Sequence, residues 1–118
     1  APGGYHMILN NKGGNYVLEM NQDPPVNSCR PAVDVLFKSI YENFKGAVLS
    51  IILTGMGEDG AEGVRLLKTK ECRSIAQERQ SCVVYGMPRA IINKGLADEV
   101  LPLKDIAHRI DKLCSMNQ

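Results

Sequence analysis

Hydrophobic positions along the chain follow two different patterns. In residues 33–44, apolar side chains recur at the i, i+3, i+4 and i+7 spacing of an amphipathic helix, and Gly46 follows as a helix stop. Residues 47–54 are instead almost continuously apolar, which is typical of a strand covered on both faces in a parallel sheet. The two patterns together predict a chain that combines helices with parallel strands.

The remaining segments extend this pattern along the chain. Residues 6–9 and 16–20 are β-prone runs around a stretch rich in Asn and Gly, which predicts a hairpin. The sequence also predicts helices over residues 31–44, 60–70, 87–94 and 103–115, and strands over residues 47–54, 73–77 and 98–101. This order is typical of an α/β fold with a doubly wound, mostly parallel sheet in a Rossmann-like three-layer arrangement. The strand over residues 47–54 is expected at the centre of the sheet.

The number of predicted parallel strands is small. Three are predicted, whereas about five or six strands are usual in a sheet. We therefore expect residues 1–118 to be the C-terminal part of a larger α/β domain, a partial domain with an uncovered sheet edge. Because such an edge exposes unpaired backbone groups, it is expected to pair with a second copy or with another chain.

The amino-acid composition limits the kinds of partner that the chain is expected to bind. The 118 residues are 44% hydrophobic and carry 14 basic against 13 acidic side chains, a formal net charge of +1. This balance provides no field to attract nucleic acid or an anionic membrane, and no run of about 18 apolar residues predicts membrane insertion. Four cysteines stand singly, which argues against a zinc site and a dense disulfide framework and favours a reducing, cytoplasmic location.

One loop has a pattern that points to chemistry. Residues 55–60 fit G-x-G-x-x-G between a predicted strand and a predicted helix, as in dinucleotide-binding loops. Glu58 and Asp59 argue against that use, because each would stand beside a pyrophosphate. Two like charges about 4 Å apart repel by several kcal/mol at an effective dielectric constant near 20. Nucleotide binding at this loop stays an alternative.

Asp59 itself has two interpretations. As an N-cap, with Glu62 three positions later, it would complete a D-x-x-E variant of the capping box and stabilise the next helix by about 1 kcal/mol. As a carboxylate at the carboxyl end of a central strand, it would stand in the crevice where doubly wound sheets bind ligands. There it would orient a histidine that acts as general base. The two roles are compatible.

Three separated motifs resemble one known family. They are N-S-C-R-P-A-V-D-V-L-F at residues 27–37, I-L-T-G-M-G-E-D-G-A at residues 52–61 and S-C-V-V-Y-G-M-P-R-A-I at residues 81–91. With the opening A-P-G-G-Y-H-M, their order and spacing resemble the catalytic domain of chemotaxis protein-glutamate methylesterases of the CheB type. The resemblance implies an α/β serine hydrolase that demethylates γ-glutamyl methyl esters of chemoreceptors. It also implies glutamine deamidation as a second reaction, and no cofactor.

The resemblance also assigns residues. Asp59 matches the aspartate of a Ser-His-Asp triad, and the backbone amides of Met56 and Gly57 match the oxyanion site. The implied substrate cleft contains Thr54, Gly55, Met87, Pro88 and Arg89. No metal ligand is implied.

Two parts of the family's pattern lie outside the 118 residues. The nucleophilic serine and the base histidine are expected in the N-terminal part of the domain, which a receiver domain normally precedes. The chain alone is therefore expected to be inactive. Cys29 and Ala32 also stand where the family has histidine and serine in N-x-H-R-P-S.

The sequence offers no replacement triad inside the chain. Ser81 and His6 lie outside a nucleophile turn such as G-x-S-x-G, and Cys82 lies in an apolar run, where burial makes a thiol unreactive. Ser81 is expected as a turn or cap residue, and His6 as a packed or surface residue. A non-catalytic interaction module that uses the open sheet edge is the alternative function from a different class.

Overall fold

A computed structural model of the chain describes residues 1–116. The strands are β1 (His6–Lys12), β2 (Asn15–Asn21), β3 (Val48–Ile52), β4 (Cys72–Gln77) and β5 (Glu99–Leu101); the α-helices are α1 (Val33–Asn43), α2 (Ala61–Leu67), α3 (Met87–Asn93) and α4 (Leu103–Ser115). A 3-10 helix covers Arg79–Ser81. The predicted α/β class with an N-terminal hairpin is confirmed. No helix within residues 1–116 combines the length and apolar character needed to cross a bilayer.

The hairpin of β1 and β2 is a separate antiparallel sheet, and α1 covers its outer edge. Ser39 Oγ on α1 accepts a hydrogen bond from the backbone N–H of Leu9 at 2.8 Å. Asn43 Nδ2 donates to the carbonyl oxygen of Leu9 at 3.0 Å. The helix therefore satisfies backbone groups that an open strand edge would leave exposed. It begins at Val33, slightly later than predicted, because Ala32 is extended with φ −116° and ψ 135°.

The second sheet is parallel and has the strand order β3-β4-β5. The prediction that residues 47–54 form the central strand is wrong for residues 1–116, because β3 pairs only with β4 and β4 is central. Leu53, directly after β3, is 44% exposed. A continuous apolar run correctly indicates a parallel strand, but it does not determine which strands lie on either side.

The interior contains side chains of the parallel sheet and of helices α2 and α3. Its buried hydrophobic cluster consists of Ile52, Ala61, Val64, Ala76, Ala90 and Ile91. Helix α1 packs against α2, and Gly63 permits the close approach, since a Cβ at that position would lie 2.6 Å from the Cβ of Phe37. This packing brings the N-termini of the two helices together.

We expect the 118-residue chain to self-associate through the free edge of β3, which has no second partner strand within residues 1–116. Sedimentation velocity should detect a dimer that forms as concentration rises. Leu49→Lys places a charge on the edge strand and should keep the chain monomeric. Val83→Lys adds the same charge at a loop residue that is 90% exposed and should not change the association. A wild-type chain that stays monomeric at high concentration would contradict this prediction.

Candidate active site

Two loops meet at the carboxyl end of β3. Thr54 Oγ1 accepts from the N–H of Val84 at 2.8 Å and donates to the carbonyl oxygen of Val84 at 3.1 Å. The carbonyl oxygen of Gly55 accepts from the N–H groups of Gly86 at 3.1 Å and Met87 at 2.9 Å. Gly86 allows this approach, because a Cβ there would lie 2.7 Å from the Gly55 oxygen. The loop after β3 is therefore fixed to the start of α3.

Asp59 lies buried at the end of this loop, with 6% of its surface exposed. Its Oδ2 accepts from the N–H of Val33 at 2.6 Å. Its Oδ1 accepts from the N–H of Asp34 at 3.1 Å and from Asn27 Nδ2 at 3.0 Å. Val33 and Asp34 are the first residues of α1, so Asp59 caps that helix from a distant part of the chain. The carboxylate therefore lies at the positive end of the α1 dipole.

Asp34 makes the reciprocal contacts. Its Oδ1 accepts from the N–H groups of Gly60 at 3.0 Å and Gly63 at 2.8 Å, at the N-terminus of α2. Its Oδ2 accepts from Asn27 Nδ2 at 2.7 Å. The start of each helix is thus bonded by a carboxylate at the start of the other, and the Asn27 amide bridges the two carboxylates. We call Asn27, Asp34 and Asp59 the reciprocal cap.

The predicted capping box does not form. The N-cap of α2 is Gly60, whose φ of 103° turns the backbone between Asp59 and the helix, and α2 has no side-chain cap at that residue. Glu62 pairs with Arg65 instead. Asp59 therefore does cap a helix, as predicted, but the capped helix is α1 and not the predicted α2.

Sequence reasoning assigned no role to Asn27 or Asp34. Asp34 carries a signal, since it is an acid in the first turn of α1, but that position predicts an interaction with its own helix. Asn27 and Ser28 have positive φ values of 54° and 61°. This left-handed conformation is uncommon outside glycine, and Asn tolerates it better than most residues. It places the Asn27 amide between the two carboxylates.

Asp59 retains one acceptor position in this arrangement. A carboxylate offers about four acceptor positions, and donors within residues 1–116 occupy three of them. Oδ2 accepts only the N–H of Val33, so its second lone pair can accept from another donor. A histidine N–H is one donor of the required kind.

The residues matched to the oxyanion site lie on the exposed part of the loop. The side chain of Met56 is 84% exposed, and the N–H groups of Met56 and Gly57 have no acceptor among residues 1–116. Gly57 and Glu58 line a cavity of about 370 Å³ beside the start of α3, and Asp59 is not part of its lining. The loop is fixed at Gly55, so the amides of Met56 and Gly57 are held in place without an acceptor from residues 1–116.

The five predicted cleft residues have different positions. Thr54 and Gly55 fix the loop, and Met87 packs its Sδ against Gly55, where a Cβ would lie 2.3 Å from the sulfur. Arg89 is exposed and lines the cavity. Pro88 differs from the expectation, because this part of α3 faces the interior and the proline is fully buried.

His6 is a packed residue, which is one of the two positions expected for it. Its side chain is fully buried. Nδ1 accepts from the N–H of Ala32 at 3.2 Å, so Nε2 carries the proton and donates to the carbonyl oxygen of Pro24 at 3.0 Å. Both ring nitrogens are therefore used in holding the hairpin to the segment before α1.

Ser81 and Cys82 also have structural roles. Ser81 ends the 3-10 helix, which agrees with the expected turn or cap residue, and its Oγ accepts from the N–H of Leu103 at the start of α4 at 3.1 Å. Burial raises the pKa of the Cys82 thiol, and the charge of Glu78 acts in the same direction. The thiol therefore stays protonated at neutral pH, as expected for an unreactive cysteine.

The structure is thus an α/β domain with a buried carboxylate and free backbone amides after a parallel strand. The family model described as CheB methylesterase matches residues 1–110. The chain belongs to this family.

Individual relatives agree with this assignment. The chain is 46% identical over 110 residues to a protein-glutamate methylesterase/protein-glutamine glutaminase of Trichodesmium erythraeum and 52% identical over 111 residues to one of Bordetella parapertussis. Each alignment covers 93% of this chain but only 31% and 32% of the relative, so the chain spans about a third of their length. The crystal structure of the Thermotoga maritima CheB methylesterase catalytic domain matches with a TM-score of 0.91 and 36% identity, over 96% of this chain and 60% of that one.

We expect Asp34→Ala to lower the free energy of unfolding by about 1–2 kcal/mol, because two N–H groups of α2 lose their acceptor. Glu62→Ala removes the acid of the predicted capping box and should leave the urea midpoint unchanged, since Glu62 is an exposed partner of Arg65. Urea denaturation followed by circular dichroism measures both. Equal losses in the two variants would contradict the reciprocal cap.

Proposed function

We propose that the chain is the C-terminal part of the catalytic domain of a protein-glutamate methylesterase, in which Asp59 is the acid of a Ser-His-Asp triad. The observation that carries the proposal is the geometry of Asp59, which is buried, bonded by three donors and left with one free acceptor position on Oδ2. Membership of the methylesterase family and the names of the relatives support the reaction.

In this proposal the serine and the histidine come from the part of the enzyme that precedes Ala1. Asp59 accepts the Nδ1–H of the histidine and stabilises the imidazolium that forms when the histidine takes the serine proton. Rigid donors matter for this role. Because Asn27, Val33 and Asp34 fix the Asp59 carboxylate, the histidine would be held in one orientation without reorganisation at each turnover.

The serine oxygen then attacks the carbonyl carbon of the γ-methyl ester. Negative charge develops on the carbonyl oxygen, and the N–H groups of Met56 and Gly57 donate to it. The imidazolium protonates the leaving oxygen, and methanol departs from the acyl-enzyme. Water, deprotonated by the same histidine, attacks the acyl group and releases the glutamate carboxylate. With a glutamine substrate the leaving group is ammonia, which accounts for the glutaminase name of the relatives.

Several expectations stay predictions alongside this proposal. The protein substrate would be a methylated chemoreceptor, and a receiver domain would precede the catalytic domain in a cytoplasmic enzyme. Nucleotide binding at residues 55–60 stays an alternative, which the exposed Glu58 carboxylate in that loop disfavours. An interaction module without catalysis is the other alternative.

Asp59→Asn in the full-length enzyme is expected to lower kcat by about 10⁴-fold, as the equivalent change does in a serine protease triad, because the amide no longer stabilises the imidazolium. Methanol release from a glutamate-methylated protein measures this. Asp34→Asn is the matched control, since Asp34 caps a helix in the same network without facing the proposed histidine. Its kcat should fall by no more than about tenfold. If Asp59→Asn also stays within tenfold of wild type, Asp59 is a helix cap and no more.

The 118-residue chain by itself is expected to release no methanol from the same substrate, because the nucleophile and the base are contributed by the preceding part of the enzyme. The uncatalysed rate, measured without protein, is the reference. Methanol release above that rate by the purified chain would overturn the assignment of the serine and histidine to the preceding part.

A further inference from the structure

A groove with two arginines leads away from the proposed oxyanion site. One cavity of about 470 Å³ is lined by Arg79, Tyr85, Arg89 and Asn93. The cavity of about 370 Å³ that contains Gly57 shares Tyr85 and Arg89 with it. The two cavities therefore adjoin, from the middle of α3 to the loop after β3. We call the four residues of the first cavity the arginine groove.

The arginines of this groove have no internal counterion. Neither Arg79 nor Arg89 has a carboxylate oxygen within 4 Å in residues 1–116, whereas Arg65, Arg73 and Arg109 each pair with a glutamate. The Arg79 guanidinium instead lies over the ring of Tyr85, 5.8 Å from its centroid. Both arginines are exposed. They are therefore available to a ligand from outside the chain.

The chemistry of the groove favours a carboxylate ligand. A guanidinium group is always charged and binds carboxylates through two parallel N–H donors. Glu78 precedes Arg79 in the chain but does not pair with it, and its carboxylate accepts from the backbone N–H of Gln80. At the opposite end of the two cavities, next to Gly57, the exposed Glu58 carboxylate repels anions. A free carboxylate of a ligand is thus favoured beside the two arginines of the groove and disfavoured beside the Glu58 carboxylate.

We propose that the arginine groove binds acidic side chains of the protein substrate next to the esterified glutamate. This inference rests on the proposed function, in which the neutral ester lies beside Met56 and Gly57. The polarity of the two cavities matches such a segment, because the neutral ester lies at the Glu58 end and free glutamates lie at the end with Arg79 and Arg89. The groove would therefore select esters that are surrounded by acidic residues in the substrate sequence.

The direct test is binding of two fluorescein-labelled 14-residue peptides, measured by fluorescence anisotropy with the 118-residue chain. Both peptides carry one central glutamate γ-methyl ester, flanked by glutamates in one and by glutamines in the other. The acidic peptide should bind at least tenfold tighter in 50 mM salt. Arg79→Gln with Arg89→Gln should remove that preference. Lys104→Gln with Lys112→Gln removes the same charge from exposed positions on α4 and should change neither affinity.

Any other result counts against the proposed binding of acidic side chains by the arginine groove. Equal weakening by the two double variants would mean that only net charge matters, and equal affinity of wild type for the two peptides, including no measurable binding of either, would overturn the proposal. If the arginine double variant does not fold, Arg89→Gln alone and the salt dependence of the wild type replace it. Raising salt to 500 mM should then weaken the acidic peptide only.

Kinetics in the full-length enzyme separate this inference from the proposed function. With the acidic peptide as substrate, the arginine double variant should raise KM about tenfold at unchanged kcat. Arginine-dependent binding without ester hydrolysis would refute the methylesterase proposal and leave the groove. Hydrolysis with a KM that is independent of the arginines would refute the groove and leave the methylesterase proposal.

Discussion

The reciprocal cap is the interaction on which the rest of the site depends. Helices α1 and α2 meet at their N-termini, where two positive dipole ends and several N–H groups without helical partners would otherwise face each other. Two carboxylates accept from these N–H groups and lie at the positive dipole ends, since Asp59 bonds the start of α1 and Asp34 bonds the start of α2. The Asn27 amide then bridges the two acids. A single cluster thus joins both helices to the loop before α1.

The same cluster explains how one acid can serve stability and catalysis. Asp59 is buried, and its three N–H donors compensate its charge within the protein. Because they leave an acceptor position on Oδ2, the proposed histidine would use a different lone pair from the one that bonds Val33. Capping of α1 and the proposed triad role therefore do not exclude each other.

Much of the fold could be predicted from local sequence patterns, whereas the site could be predicted only in part. Continuous apolar sequence in β3 and helical spacing in α1 depend on neighbours along the chain, so these elements were predictable. The partners of Asp59, and the backbone N–H groups that Asp34 bonds, are 25 or more residues away, and no local pattern encodes such pairs. For the same reason Glu62 suggested a capping box that does not form. The edge position of β3 was missed because sheet order depends on long-range pairing. Pro88 was placed in the cleft by resemblance, whereas the direction in which α3 faces decides its burial.

A crystal structure of the full-length protein that contains these residues would test the proposed triad most directly. A histidine Nδ1 should lie within about 3.2 Å of Asp59 Oδ2, while Val33 and Asp34 keep their hydrogen bonds to the same carboxylate. The proposed triad would be contradicted if the side chain of Asp59 were bonded only by α1 and Asn27, with every histidine nitrogen more than about 4 Å away.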